Sequence, residues 1–339
     1  MNMAPSVLSK FLLTAAVLAF APSAWAELPQ AVTEEAAHEA AYAAARHAPA
    51  NIKVTGFSRP ESVLHDMKRD VYLVSNITNG PRDFDNTGFI SRVSPNGRIL
   101  DLKWISGGVN GVTLNAPKGS TIANGTLHVA DIDTLRKFDA RTGRPLGGIF
   151  IPGATFLNDV ASDRHGNVYV TDIGFTTVPV FGPSGTDAIH KVTPRDELSV
   201  FASGNSLLNH PNGIVVLPNG KLKVATYDPF NGTKELFTID KRGFKSDVFT
   251  LPTGLLDGIV LLDHGFLVSS WVDFSNATAG VIYLVETDGT VTEVARGFQN
   301  ASDIGFDHKR NRILIPELPD PGDDGQVIIS SLRLPRAPH

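Results

Sequence analysis

The chain has 339 residues, a formal net charge of −5 and no cysteine. Its 30 lysines and arginines are outnumbered by 35 aspartates and glutamates and form no basic run, which argues against nucleic acid as a partner. Without cysteine the chain has neither disulfides nor a lipoprotein anchor. We therefore expect the fold to be held together by its core alone.

Residues 1–26 have the features of a secretory signal peptide. Lys10 precedes an apolar run at 11–20, and Ala24-Trp25-Ala26 provides a small-x-small cleavage signal before Glu27. The apolar run is too short to span a bilayer. We therefore expect export to the periplasm or out of the cell, with no membrane anchor.

Residues 27–50 are rich in alanine and include the one stretch with a helical composition, 31–48. Alanine is the best helix former, and Glu34 and Glu35 fall in the first turn, where the helix dipole favours negative charge. The stretch has no strong apolar stripe. It is predicted to be a helical leader that docks loosely outside the core.

After residue 50 a sequence pattern recurs, with variations, about every 40–57 residues. It consists of a polar residue, a short apolar run, a corner that contains glycine, and a second apolar run, which together indicate a strand, a hairpin and a strand. The clearest copies are 158–172, 212–224 and 257–270. Repeats of this length predict a β-propeller. Propellers are often this long as one domain, so we expect residues 51–339 to form a single all-β domain.

Six such units can be counted along the chain. They begin at or near Glu61, Pro117, Asn158, Asn212, Asp257 and Ser302. A ring of six blades must close its last blade against its first, because an open sheet edge invites aggregation. The run 50–57 is predicted to supply the outermost strand of the sixth blade.

Polar residues head four of these units, namely Glu61, Asn158, Asn212 and Asp257. The innermost strand of each blade starts at the central channel, so these side chains should meet although they are far apart in sequence. Carboxylate and amide oxygens suit Ca²⁺, which takes six to eight ligands and would leave positions for water and substrate. Alternatively, Asn212-Gly213 and Asp257-Gly258 are ordinary turn dipeptides, although turn chemistry gives no reason for a glutamate at Glu61.

Four short motifs carry a resemblance to a known family. They are Arg59-Pro-Glu61-Ser-Val, Leu157-Asn158-Asp159, His210-Pro-Asn212-Gly213 and Leu256-Asp257-Gly258. Together they resemble the senescence-marker-protein (regucalcin)/gluconolactonase family, and they are similar also to diisopropylfluorophosphatase and the paraoxonases. The resemblance extends over nearly all of the chain that follows the predicted signal peptide.

This resemblance implies a six-bladed propeller with Ca²⁺ or another divalent cation in its central channel, and hydrolysis of lactones, esters or phosphoesters. It implies that Glu61, Asn158, Asn212 and Asp257 bind the metal. It also implies that Asp257 acts as the nucleophile or general base.

Lys118 departs from the family pattern. Many members carry Pro-Asn-Asp at the head of the second blade, where this chain has Pro117-Lys118-Gly119. An ammonium near the channel repels a divalent cation. Lys118 is expected either to pair with Asp303 or Glu61, to steer an anionic substrate, or to act as a base if desolvated. The alternative is that it points away or only neutralises a carboxylate.

Three further residues are weaker candidates. His210 is expected at the mouth of the channel as an acid or base, or else as a solvated loop histidine. Asp303 heads the sixth unit and is expected behind the metal ligands or beside the substrate. Trp271 is expected either to contact substrate or to pack in the core. The loops 173–187 and 228–233 are predicted to surround the mouth and to select the substrate.

The preferred hypothesis is a monomeric, exported, metal-dependent hydrolase of a small molecule. One alternative is a non-catalytic propeller that binds a peptide, a glycan or a protein partner through its loops. Another is a metal-free propeller enzyme of the strictosidine-synthase type. An enzyme needs a pocket beside its reactive groups, whereas a binding module can have a blocked channel and a broad loop surface.

Overall fold

The computed structural model describes residues 51–176, 180–272, 277–320 and 324–331. The predicted signal peptide and helical leader lie outside these residues. Within them nearly all regular structure is β, as predicted. The exceptions are a four-residue helix, α1 (Asn205–Leu208), and a 3₁₀ turn, Ala277–Ala279.

Six four-stranded antiparallel sheets make up the six blades of a propeller. The first strand of the chain, β1 (Ile52–Ser58), belongs to the last blade. Blade 1 contains β2 (Pro60–Asp66), β3 (Val71–Asn76), β4 (Phe89–Val93) and β5 (Ile99–Ser106). Blade 2 contains β6 (Pro117–Ala123), β7 (Thr126–Asp131), β8 (Thr134–Asp139) and β9 (Pro145–Phe150).

Blade 3 contains β10 (Leu157–Ser162), β11 (Val168–Asp172), β14 (Ala188–Val192) and β15 (Leu198–Ser203), and a small hairpin, β12 (Phe175–Thr176) with β13 (Gly182–Pro183), lies in its long loop. Blade 4 contains β16 (Pro211–Val216), β17 (Leu222–Thr226), β18 (Glu235–Ile239) and β19 (Lys245–Thr250). Blade 5 contains β20 (Leu256–Leu262), β21 (Gly265–Ser270), β22 (Gly280–Glu286) and β23 (Val291–Phe298). Blade 6 contains β24 (Gly305–Asp307), β25 (Arg312–Glu317) and β26 (Asp324–Ser330), followed outward by β1.

The ring closes by joining the two ends of the described chain in one sheet. Strand β1 pairs antiparallel with β26, with Val54 opposite Val327 and Ile52 opposite Ile329. The prediction that the run 50–57 supplies the outermost strand of the sixth blade is therefore confirmed. The pairing with β1 covers the edge of β26, which would otherwise be open.

The hydrophobic core lies between the blades rather than at the axis. In β3, Leu73 packs in a cluster shared with blade 2, whereas its neighbour Val74 packs in a cluster shared with blade 6. Successive side chains of a strand point to opposite faces, so a blade with both faces covered needs a continuous apolar run. Six clusters of this kind occur among the described residues, one at each junction between blades.

No helix in the described part of the chain has the length and apolarity needed to cross a membrane.

An ion-pair network reinforces the junction between blades 6 and 1. Arg310, in the turn between β24 and β25, donates to both oxygens of Asp70 at 2.9 and 2.6 Å and to Asp307 at 2.8 Å. The hydroxyl of Tyr72 donates to the same Asp307 at 2.6 Å. The hydrogen bond from Arg310 holds the pKa of Asp70 well below its ordinary value. Burial raises the pKa of Asp307, but the bonds from Tyr72 and Arg310 lower it, and the net shift is downward.

We expect Arg310→Gln to lower the unfolding temperature by a few degrees at neutral pH. Carboxylates whose pKa is depressed in the folded state stabilise it above their ordinary pKa, and this contribution is lost as the pH falls through the folded-state pKa. The difference in unfolding temperature between the two proteins should therefore shrink below about pH 4. Scanning calorimetry of both proteins between pH 7 and pH 3 measures this difference in unfolding temperature.

Arg242→Gln is the matched control, because Arg242 pairs with Asp240 inside one turn and its side chain is 78 % exposed. Exposed pairs contribute little, so this variant should unfold like the unmodified protein. A difference for Arg310→Gln that does not change with pH would show that Arg310 acts through packing instead.

Candidate functional site

Five of the predicted site residues lie in β-bulges at the start of the inner strands. In blade 4, Pro211 pairs with Thr226 and Ile214 pairs with Val224, so Asn212 and Gly213 face a single residue of β17. Corresponding breaks in register occur in blades 1, 2, 3 and 5, at Glu61, Lys118-Gly119, Asn158-Asp159 and Asp257-Gly258. A bulge re-aims the side chain that it carries, and here the re-aimed side chains line the same cavity.

Hydroxyl groups tie these bulges to one another around the ring. Thr171, on the second strand of blade 3, accepts a hydrogen bond from the amide of Asp159 at 3.0 Å and donates to the carbonyl of Asn212 in blade 4 at 2.8 Å. Ser269 accepts from Gly258 at 2.8 Å and donates to Ser302 in blade 6 at 2.7 Å. The backbone of these bulges is therefore held by hydrogen bonds to a hydroxyl group of the same blade or of the preceding blade.

Glycine is needed in the bulges because neighbouring inner strands almost touch. A Cβ atom on Gly213 would lie 2.2 Å from the carbonyl oxygen of Asp257, and one on Gly258 would lie 2.3 Å from the amide nitrogen of Ile304. Both glycines lie inside strands and not at hairpin corners. The interpretation of Asn212-Gly213 and Asp257-Gly258 as ordinary turn dipeptides is therefore wrong.

Five of the predicted residues line one cavity with a volume of about 230 Å³. They are Glu61, Lys118, Asn158, Asn212 and Asp257, and all five are buried. Most of the wall is apolar and comes from the loops that join the second and third strands of the blades. It includes Ile77, Pro81, Ile173, Phe175, Phe181, Tyr227, Trp271 and Leu318, together with Phe156 before β10.

Two oxygen atoms in this cavity have no hydrogen-bond partner. They are Oε2 of Glu61 and Oδ1 of Asn158, and both are buried. A buried acceptor without a partner costs free energy, so a cation or donor in the cavity would be favoured there. Asp257, in contrast, is held on both oxygens: Oδ1 accepts from Nδ2 of Asn212 at 3.1 Å, and Oδ2 accepts from the indole nitrogen of Trp271 at 2.7 Å.

The cavity holds two carboxyl groups away from water. Burial raises the pKa of Glu61 well above its ordinary value, and the nearby Asp257 raises it further, whereas Lys118 opposes the shift. Burial likewise raises the pKa of Asp257 to about 7, against the lowering effect of its bond from Trp271. Two carboxylates and two amide oxygens are the hard donors that Ca²⁺ prefers, and a cation would relieve their repulsion.

The described residues contain no group of three or more His, Cys, Asp or Glu placed to share a metal ion. An ion at this position would therefore depend on the two amide side chains as well as the two carboxylates. With that condition the donor set fits Ca²⁺ or a similar hard cation and does not fit zinc, which favours nitrogen and sulfur ligands.

Lys118 faces the cavity but is held by backbone carbonyls. Its Nζ donates to Pro81 at 2.9 Å and to Ala116 at 3.1 Å, and it lies 4.6 Å from the ring centroid of Phe156. Burial lowers the pKa of Lys118 to about 8, although Glu61 raises it. The expected ion pair with Glu61 or Asp303 is not formed as a direct contact, because these two carbonyls position the ammonium. The alternative that Lys118 points away is also wrong.

The structure does not bring His210 to the cavity. Its ring is 1 % exposed, with Nδ1 2.8 Å from the carbonyl oxygen of Ile173 and 3.1 Å from Asp187. Phe175 and Phe230 pack against the ring and cover it, with centroid distances of 4.9 and 5.3 Å. Both expectations for His210, an acid or base at the mouth and a solvated loop residue, are therefore incorrect. Its role is to hold the loop of blade 3 against the start of β16.

Asp303 lies one residue past the position that corresponds to the other site residues. The bridge between Ala301 and Glu317 makes Ser302 the counterpart of Glu61 and Asn212, and Asp303 the counterpart of Asp159. In a strand, a shift of one residue places the side chain on the opposite face. Asp303 accordingly bonds to the side chain of Asp159 and lines the depression at the other end of the channel. The expected substrate contact is therefore not supported.

Several cavity residues were not predicted individually, and four of them share one position with Trp271. The first residue after the second strand lines the cavity in five blades, at Ile77, Ile173, Tyr227, Trp271 and Leu318. This position follows the polar residue that ends the second strand, so the repeat itself contained the signal. Trp271 packs against two hydrophobic clusters, as one of its two expected roles required, and it also lines the cavity.

Comparison with solved structures finds the same fold. A protein assigned as a gluconolactonase in a structural genomics programme aligns with a TM-score of 0.57 at 18 % identity, over 84 % of this chain and 92 % of that chain. A luciferin-regenerating enzyme aligns with a TM-score of 0.58 at 12 % identity, over 83 % and 95 % of the two chains. A gluconolactonase from Xanthomonas campestris aligns with a TM-score of 0.51 at 18 % identity, over 84 % and 98 %.

No protein-family model and no curated protein matches the sequence. By its fold the chain is a six-bladed β-propeller, similar to these solved structures. At these sequence identities the similarity shows the fold alone and does not establish a reaction.

We expect Gly213→Ala to destabilise the protein by about 1–3 kcal/mol, the usual cost of forcing extra atoms into a packed site. The added methyl group would meet the backbone of Asp257, which cannot rotate away. Chemical denaturation measures the free energy of unfolding. Gly254→Ala is the control, since its Cβ would lie 3.8 Å from the nearest atom. Equal stability of the two variants would contradict the close approach of the inner strands.

Proposed function

We propose that the protein is an exported, Ca²⁺-type metal-dependent hydrolase whose substrates are lactones, or esters and phosphoesters of related chemistry. The observation that carries this proposal is the pair of unpartnered oxygens on Glu61 and Asn158, two residues that line the cavity beside Asp257. An open cavity at the reactive groups favours an enzyme over a non-catalytic binding module. Export is part of the proposal because residues 1–26 have the features of a signal peptide.

The metal would be held by Glu61, Asn158, Asn212 and Asp257. When bound, a divalent cation supplies Lewis-acid polarisation of the carbonyl or phosphoryl oxygen of a substrate. Glu61 and Asn158 offer unpaired oxygens for it, and Asn212 directs its amide nitrogen at Asp257 and at the carbonyl of Leu256, which leaves its amide oxygen available.

Asp257 is the residue proposed to activate water or to attack the substrate. Trp271 and Asn212 each donate to one of its oxygens and fix the plane of the carboxylate, while each oxygen keeps a lone pair for a proton. The apolar wall around it excludes bulk water, so a water molecule or substrate in the cavity would meet Asp257 in one orientation. In this proposal Asp257 is both a ligand of the cation and the residue that activates water or attacks the substrate.

We expect the chain without its signal peptide, stripped with a chelator, to bind about one Ca²⁺ per chain in calorimetric titration, and Glu61→Gln to bind at least tenfold more weakly. The substitution removes a carboxylate charge and keeps the side-chain volume. Glu235→Gln, which breaks an ion pair with Lys245 in blade 4, is the control and should bind like the unmodified protein. Absence of binding in every protein would mean that Lys118 keeps a divalent cation out, and metal dependence would be rejected.

We expect Asp257→Asn to lower the turnover of a panel of γ- and δ-lactones by about 10²–10⁴-fold, the usual contribution of a positioned base. The amide cannot accept a proton, although it fills the same volume. Unchanged thermal unfolding would separate this loss from misfolding. Asp263→Asn, in an exposed turn of the same blade, should keep full activity. Undiminished activity of Asp257→Asn would refute the assignment.

A further inference from the structure

The cavity offers little to a polyhydroxylated substrate. Beyond the four oxygen-bearing residues, its polar lining consists of Arg59, Lys118, Tyr227 and Trp271. Arg59 donates to the carbonyls of Pro319 and Asn79, and Lys118 donates to those of Pro81 and Ala116. The indole of Trp271 donates to Asp257. The hydroxyl groups of a sugar would lose water here and find few partners in return, which costs free energy for each unpaired group.

An aromatic path leads from the cavity to the surface. Phe175 is buried at the cavity wall, and its ring contacts Phe181 and Phe230 with centroid distances of 5.3 and 5.5 Å. These two rings lie 5.4 Å apart and are 52 % and 37 % exposed. Exposed aromatic groups that continue a buried apolar wall mark a surface that receives an apolar ligand.

The size of the cavity limits what can lie inside it. Its volume of about 230 Å³ is below the roughly 300–1,000 Å³ of most ligand pockets. A lactone ring with a few carbon atoms of its substituent could occupy it, and a longer substituent would have to leave through the mouth. Phe181 lines the cavity and is also exposed, so it lies where such a substituent would pass.

We propose that the substrate is a lactone or ester with an alkyl or aryl substituent and not a sugar lactone. Its carbonyl end lies beside Glu61, Asn158 and Asp257, and its substituent extends along Phe175, Phe181 and Phe230. This inference rests on the proposed hydrolase function and adds the chemical class of the substrate. Phe181 and Phe230 are then residues that determine specificity by burying the substituent, without touching the reacting atoms.

The test compares kcat/KM for δ-lactones whose alkyl substituent grows from methyl to heptyl, with glucono-δ-lactone as the polar substrate. Burial of a methylene group contributes about 0.8 kcal/mol, which corresponds to about a fourfold rise in kcat/KM for each added carbon. Phe181→Ser should reduce the preference for heptyl over methyl by at least tenfold. Phe244→Ser is the matched control, because Phe244 is 63 % exposed in the turn between β18 and β19 and does not line the cavity.

The outcomes separate the two proposals. Faster hydrolysis of glucono-δ-lactone, or no dependence on chain length, would overturn the apolar substrate and leave the hydrolase intact. If no lactone, ester or phosphoester is hydrolysed, the hydrolase is rejected, and calorimetric binding of the 5-hydroxyalkanoates that correspond to the δ-lactones decides the ligand class. Affinity that rises with chain length and falls in Phe181→Ser would support an apolar ligand, and absence of binding would overturn it.

Discussion

The close approach of the six inner strands at the axis determines the geometry of the candidate site. Gly213 and Gly258 lie so near the next strand that a single additional carbon atom would overlap backbone atoms. Because the strands cannot all run straight into so narrow a space, the inner strands of blades 1 to 5 break their register at this level and form bulges. The bulge then turns one side chain toward the cavity. The same crowding of the inner strands therefore also creates the ring of candidate site positions.

Six corresponding positions result, occupied by Glu61, Lys118, Asn158, Asn212, Asp257 and Ser302. The backbone at these positions is fixed by glycines and by hydroxyls such as Thr171 and Ser269, and its geometry does not depend on which side chain each position carries. Chemistry can consequently change by single substitutions without a change of fold. A lysine at position 118 is an instance, because its ammonium is accommodated by two backbone carbonyls and an aromatic ring.

Much of the architecture could be predicted because a propeller repeats its sequence signals. The closure of blade 6 by the run 50–57 follows from the need to pair the last edge, and Glu61, Asn158, Asn212 and Asp257 follow from their place at the head of each unit. Asp303 shows where this reasoning fails. The sixth unit differs by one residue from the others, and only the pairing of Ala301 with Glu317 reveals that Ser302 holds the corresponding position. His210 could not be predicted either, since the rings that bury it come from loops without repeated sequence.

The candidate site is built from two kinds of segment, bulges and loops, and the fold constrains them to different degrees. It fixes the bulge residues more strictly than the loop residues that would select a substrate. Residues in the bulges are fixed by neighbouring strands, so the positions of Glu61 and Asp257 are set by the ring as a whole. The aromatic wall comes instead from loops of different length: blade 2 has only Ile132 and Asp133 between its second and third strands, whereas blade 3 uses residues 173–187. Loops can lengthen without disturbing the packing between blades. The long loop of blade 3 brings Phe175 and Phe181 to the cavity, and it thereby makes the mouth apolar on the side where blades 3 and 4 meet. In the proposed hydrolase the ring would therefore govern the reacting end of a substrate, and the loops of one side would govern the nature of its substituent.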